Sequence, residues 1–322
     1  MLAEKKKFSV DEQLSHLRQK GITFTYCSEE AARDYLQNNT YFFKIRAYRK
    51  NYPKHADGKE KGKYINLDFQ YLIDLAVLDM QLRYLLIQIA LDVEHYVRMQ
   101  LVRYVETINE DGYSIINDYL DSLSEEKRNI FLFELERNKE NIYCGAISEK
   151  YNGRYPIWAF VEIISFGRLI SFYNFCANRF QDKKMKNNYY RLMACKEIRN
   201  AAAHNNCILN ELHSGTAKYQ SDNDVNRALM QIKGVTKTIR KRKMSNARVQ
   251  QIVTLLYTHK TMVTSQAILE KKSEKLNVFS ERMLKNMVYY QENDVIKTTF
   301  SFLKMVIDNW YPVAYNKTTE KK

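Results

Sequence analysis

From Leu67 to about Glu106, apolar residues recur at helical spacing over some forty consecutive positions. Leu75, Leu78, Leu82, Leu85, Ile89, Val93, Tyr96 and Leu101 mark the stripe. Residues three and four apart share one face of an α-helix, so this segment folds as a long helix with one buried side. Such a span exceeds an ordinary globular helix and leaves room for a break or bend within it. Elsewhere the chain is poor in the residues that turn a strand, with 3 prolines and 9 glycines among 322 residues. A sheet protein needs such residues roughly every eight to twelve positions. An all-α fold is therefore predicted, and a hydrophobic fraction of 45% supplies a sizeable core.

Several further elements can be read locally. Val10 to about Asn39 reads as two short helices broken at Gly21, the second capped by Ser28 with Glu29 and Glu30 in its first turn. The aromatic and basic stretch Tyr41–Lys50 ends near Pro53, and the run from His55 to Lys63 reads as an exposed loop. Cys144–Tyr155 reads as a loop, Pro156–Asn178 as one helix begun by proline, and about Asn188 to Asn206 as another. The polar segment Gly215–Asn226 marks a boundary, followed by an amphipathic helix Asn246–His259. The expected organisation is residues 1–215, then a basic helical region over residues 216–322.

The formal net charge is +14, and it is unevenly placed. From Glu211 onward there are 20 Lys/Arg against 10 Asp/Glu, so the final third carries +10. Charge gathered in this way is the footprint of a polyanionic partner, with nucleic acid first. Lys233–Arg248 concentrates it: Lys233, Lys237, Arg240, Lys241, Arg242, Lys243 and Arg248, with no acidic residue between them. The five cysteines are scattered and never spaced as CxxC, which argues against the common zinc frameworks and a disulfide scaffold. No apolar stretch follows the N-terminal charges and none reaches membrane-spanning length, so a cytoplasmic protein is expected, with no membrane partner. No metal or cofactor is expected.

The segment Ile198–Arg199–Asn200–Ala201–Ala202–Ala203–His204 carries the chemistry of most interest. Histidine exchanges a proton near neutral pH, and the planar fork of arginine matches phosphate oxygens. Together they meet the minimum for metal-free RNA cleavage: a base for the 2′-hydroxyl and a cation for the charge that develops on phosphorus. On a helix Asn200 and His204 share a face, with Arg199 one residue round. Spacing alone leaves an ordinary structural histidine open, and Arg49 and His55 match the same pattern by chance across Pro53.

Arg199-Asn-Ala-Ala-Ala-His204 resembles the R-N-x3-H signature of HEPN ribonuclease domains. Its surroundings resemble the Abi-like (AbiF/AbiD) abortive-infection branch of that superfamily. Leu17–Gly21 with Ala31–Leu36 fits that family in order, and Tyr41-Phe-Phe-Lys-Ile-Arg-Ala-Tyr48 is similar to its "YYRLSGY" stretch. Asp79–Arg83 continuing to Glu94 and Arg98 fits as well, and Pro156-Ile-Trp158 with Glu162 and Ser165-Phe-Gly167 is similar to "PxWxxxExxSFG". Asn210 matches an asparagine that often follows the histidine, and the match spans roughly residues 10–212.

The resemblance implies an all-α HEPN-type helical bundle, its core over about residues 65–212, with additional N- and C-terminal helices. It implies an endoribonuclease toxin of phage defence with Arg199, His204 and Asn200 as the catalytic group. One copy of the motif implies a homodimer that completes the site, and a regulatory non-coding RNA is a further expected partner. Glu94 and Glu162 are supporting candidates, equally readable as ion-pair partners in a bundle. Asp79 and Arg83 read as a surface helix pair, and Trp158 and Phe166 as core. Lys44, Arg46 and Arg49 join the basic segment as RNA-binding candidates, with Tyr41, Phe42, Phe43, Tyr48 and Tyr52 available either to stack on unpaired bases or to build core. Two rival readings stand beside the nuclease: a non-catalytic RNA-binding module, and a protein-interaction subunit.

Overall fold

The computed structural model describes residues 6–313. Its helices in chain order are α1 (Val10–Gln19), α2 (Glu29–Asn38), α3 (Phe42–Ile45), α4 (Phe69–Thr107), α5 (Ser114–Asp121), α6 (Glu125–Arg137), α7 (Gly145–Tyr151) and α8 (Ile157–Ile163). They continue with α9 (Phe166–Arg179), α10 (Lys183–Ala203), α11 (Asn223–Met230), α12 (Lys237–Met244), α13 (Ala247–Met262), α14 (Gln266–Lys285) and α15 (Asp294–Trp310). Among the described residues there is no strand, only isolated bridges at Thr23–Asp68 and Lys54–Tyr64. The all-α expectation holds. The apolar stripe becomes α4, which runs without interruption for 39 residues.

The described residues group into two compact units. The first comprises residues 6–87, 198–257 and 265–313. Ser9 opens α1 with a reciprocal capping box to Glu12, and Ser28 caps α2 by accepting from the Ala31 amide at 3.2 Å. Between them Gly21 holds φ +77°, and a Cβ there would lie 2.8 Å from Lys63 Cβ, so only glycine fits. Asp68 starts α4: one oxygen accepts from the Gln70 amide at 2.9 Å, the other from Thr23 Oγ1 and the Thr25 amide at 2.8 and 2.7 Å. The core joins Leu72, Leu75, Leu78, Leu82 and Leu86 of α4, Leu276, Phe279 and Met283 of α14, and Phe300, Leu303 and Trp310 of α15. Fully burying each such side chain contributes on the order of 1.5–3 kcal/mol.

The second unit comprises residues 88–197 and 258–264. Its centre is aromatic: Tyr119 meets Phe131, Phe160 and Phe172 edge-on with centroids 5.1–6.2 Å apart. The predicted single helix over Pro156–Asn178 is two helices. Ser165 is extended and accepts from the Arg168 amide, capping α9 and ending α8. The freed carbonyls find donors: Ile163 O takes Asn138 Nδ2 at 2.9 Å, and Val161 O and Ile164 O take the Arg98 guanidinium. The predicted loop Cys144–Tyr155 contains α7, whose first residue, Gly145, approaches Lys139 O so closely that a Cβ would lie 2.6 Å from it. Phe166 is core as expected. Trp158 is not: it is 52% exposed, with its indole N–H 3.4 Å from the Tyr151 hydroxyl.

Candidate active site

Arg199 and Asn200 lie in the last turns of α10, and His204 directly follows its final residue. Ile198 and Ala202, four apart, are buried and set the core-facing side. Arg199 and Asn200 are consequently half-buried, and Ala203 and His204 face solvent. The helix stops at His204 for a local reason. Asn205 adopts the left-handed conformation at φ +60°, its amide reaches Ala202 O at 3.1 Å, and the Asn206 amide reaches Ala201 O at 2.9 Å. This pair of bonds closes a Schellman motif with asparagine in the place usually held by glycine. The His204 amide still bonds to Asn200 O at 2.9 Å, so Asn200 and His204 do lie on one face.

Arg199 points elsewhere by helical geometry, because residues five apart stand about 140° round the axis and about 7.5 Å along it. The Oδ1 of Asn200, which shares the His204 face, accepts from Arg199 Nη1 at 3.0 Å. Ala201, Ala202 and Ala203 put no bulk between them. Arg199 is thus half-buried and bonded to Asn200, while the His204 imidazole is exposed.

The loop after His204 is held by a buried carboxylate. Asp79 on α4 is fully buried and accepts the amides of Ile208 and Leu209 at 2.7 and 2.6 Å, the Tyr48 hydroxyl at 2.9 Å, and Arg83. Burial pushes its carboxyl up from the ordinary value, against the pull of the Leu209 amide and Arg83. The expected surface pair Asp79–Arg83 is thus corrected to a buried anchor. Helical i,i+4 spacing reports adjacency but not which face is covered. Asn51 adds a second clamp, donating to Leu209 O at 2.8 Å and accepting from the Leu212 amide at 3.0 Å.

Of the basic candidates in the Tyr41–Lys50 stretch, Lys44 comes nearest. Its Nζ lies 3.1 Å from Asn205 O and 3.4 Å from Asn205 Oδ1, placing an ammonium at the carbonyl end of α10. Burial, with Arg83 nearby, lowers its affinity for its proton. Arg46 is half-buried and lies over the Phe42 ring at 5.6 Å. Arg49 is not available to a phosphate: it is buried, with its guanidinium over Tyr64 at 5.4 Å and Nε on Arg46 O. His55 stands in the exposed loop. Tyr48 and Tyr52 are core, while Tyr41 and Phe43 are exposed.

In the basic segment, Lys233, Lys237, Lys241 and Arg242 are exposed and Arg240 is half-buried. Lys237 and Lys241 share a face of α12, with Lys233 leading into it. Arg248 bonds to Glu211 at 2.9 Å. Lys243 departs from expectation: it is 5% exposed, and its Nζ donates to the Thr298 and Thr299 hydroxyls at 2.6 and 2.8 Å. Burial pushes its ammonium down to about 8. One turn of α12 necessarily faces inward, and in a segment this basic a lysine occupies that turn.

In the second unit Glu94 is buried and accepts from Arg98 Nη2 at 2.6 Å, which commits it to the arginine that holds the α8–α9 junction. Glu162 is exposed. Among the described residues no group of three His, Cys, Asp or Glu side chains is placed to hold a metal ion, and no helix is long and apolar enough to cross a membrane.

No curated protein and no solved structure matches the chain. A family model described as Abi-like protein matches residues 34–210, more than half of the sequence. That interval opens within α2 and closes at Asn210, taking in α3, Asp79, the α8–α9 junction and the end of α10. The chain belongs to the Abi-like protein family.

Proposed function

We propose that this protein is a metal-independent endoribonuclease acting in abortive infection, with its reacting groups at the C-terminal end of α10. The observation that carries the reading is the Arg199–Asn200 bond of 3.0 Å beside the exposed His204. His204 takes the proton of a ribose 2′-hydroxyl, and the freed oxygen attacks the adjacent phosphorus. Arg199 stabilises the charge that builds on the phosphoryl oxygens, and Asn200 positions Arg199. As the bond to the 5′-oxygen breaks, that oxygen takes up a proton, leaving a 2′,3′-cyclic phosphate and a 5′-hydroxyl.

The chain has one credible copy of the motif, so a second copy of the protein supplies the rest of a composite site. The exposed cations of α12 give a polyanion a place to bind without reading its sequence. They also suit a structured non-coding RNA that restrains the toxin. The end chemistry tests the reaction. RNA cut by the purified protein is expected to carry 2′,3′-cyclic phosphate ends, and 3′-hydroxyl ends would refute this route. The non-catalytic RNA-binding alternative is favoured by the same cations of α12, and it predicts salt-sensitive RNA retention with no cut product.

A further inference from the structure

Building on the ribonuclease reading, we propose that Tyr41 and Phe43 form a stacking platform that directs the Arg199–His204 site to unpaired RNA. The two rings are 62% and 74% exposed, although their neighbours in the same stretch are used for packing. Ile45 is fully buried, and Phe42 meets His16 edge-on at 5.9 Å. Phe42 and Ile45, three apart, share the packed side of α3, and Phe43, the next residue round from Phe42, faces outward. Tyr41 precedes α3 and lies one turn before Lys44.

Lys44 fixes where this platform sits. Its bond to Asn205 pins α3 against the residue that follows His204, and Cys207 Sγ lies 3.8 Å from Lys44 O. Phe43 immediately precedes, and Tyr41 lies one turn before, the lysine that bonds to the neighbour of the proposed base. An aromatic face can stack on any base, without sequence preference, once that base has left its own stack. In a duplex the base faces are occupied by neighbouring pairs. The reaction favours the same substrate, since attack by the 2′-oxygen needs it in line with the departing 5′-oxygen, an alignment a flexible strand reaches and a rigid A-form helix resists. An electrostatic grip alone would not distinguish the two forms.

The test uses full-length protein carrying His204→Ala, so that binding is read without cleavage. The probes are a single-stranded oligoribonucleotide containing 2-aminopurine and a blunt RNA duplex of the same sequence. Tyr41→Ala with Phe43→Ala is expected to weaken single-strand binding about tenfold and to abolish the change in 2-aminopurine fluorescence. Duplex binding should stay unchanged, and Phe43→Tyr should retain the parental behaviour. Unchanged single-strand affinity, or an equal loss on the duplex, would overturn the platform. Cleavage by the His204-containing protein is scored separately. If it cuts no RNA the ribonuclease reading fails, and the fluorescence arm still decides the stacking.

Discussion

The carboxylate of Asp79 accepts the backbone amide of Leu209 at 2.6 Å, across 130 residues of sequence. With the Ile208 amide, the Tyr48 hydroxyl and Arg83 on the same group, one side chain of α4 fixes the segment that leaves the proposed active site. Removing it would strand two buried amides and a buried guanidinium.

Asp79→Ala should therefore cost about 3–5 kcal/mol of stability, read as a shifted midpoint in denaturant unfolding. Were the pair at the surface, the loss would stay within about 0.5 kcal/mol. A loss that small would show that this anchor does not hold the loop.

In the proposed reaction Asn200 orients Arg199 through the 3.0 Å bond between them. Asn200→Ala should slow RNA cleavage roughly ten- to a hundredfold, since small misplacements of a charge-stabilising group are costly, and leave the thermal midpoint within about 2 °C. Full activity in this variant would show that Arg199 needs no such guide.

Lys243 gives a pH signature. Burial pushes its folded ammonium down to about 8, against an ordinary 10.5. Between those values the unfolded chain holds a proton that the folded chain has lost, so this group makes stability rise with pH across that window. Below about 8 both states are protonated, and the penalty for burying the charge is at its fullest. Lys243→Met should gain about 1–3 kcal/mol at pH 7 and lose the rise between about pH 8 and 10.5. An unfolding midpoint with the same pH slope as the parent would contradict this.

The same burial divides the basic segment in two. Replacing Lys233, Lys237 and Lys241 together by alanine should reduce the salt dependence of single-stranded RNA binding, by about 0.7 in log–log slope for each phosphate no longer neutralised. Lys243→Met should leave that slope unaltered. Equal effects of the two changes would place the RNA elsewhere.

The fold is legible in the sequence wherever a local pattern decides it. The stripe from Leu75 to Leu101 predicts α4, and the Ser28 cap predicts α2, because periodicity and capping act within a few residues. Ser165 carries a readable signal as well, an extended cap that splits what the apolar pattern alone joins into one helix. Asp79, Lys243 and Arg49 mislead for a common reason. A polar residue in a helix looks solvent-facing until its tertiary partners are known, and theirs lie on distant segments: Ile208 and Leu209 for Asp79, Thr298 and Thr299 for Lys243, Tyr64 for Arg49. The Arg199–His204 spacing is visible in the chain itself. The Asn205 turn that exposes the histidine, and the Lys44 bond beside it, require the fold.

In the proposed reaction His204 performs the chemistry without a metal. The decisive measurement incubates purified protein with single-stranded RNA in excess chelator, beside His204→Ala of matched thermal stability. Cleavage by the parent is expected, and none above background by the variant. Cleavage that requires added magnesium, or that survives in His204→Ala, would contradict it.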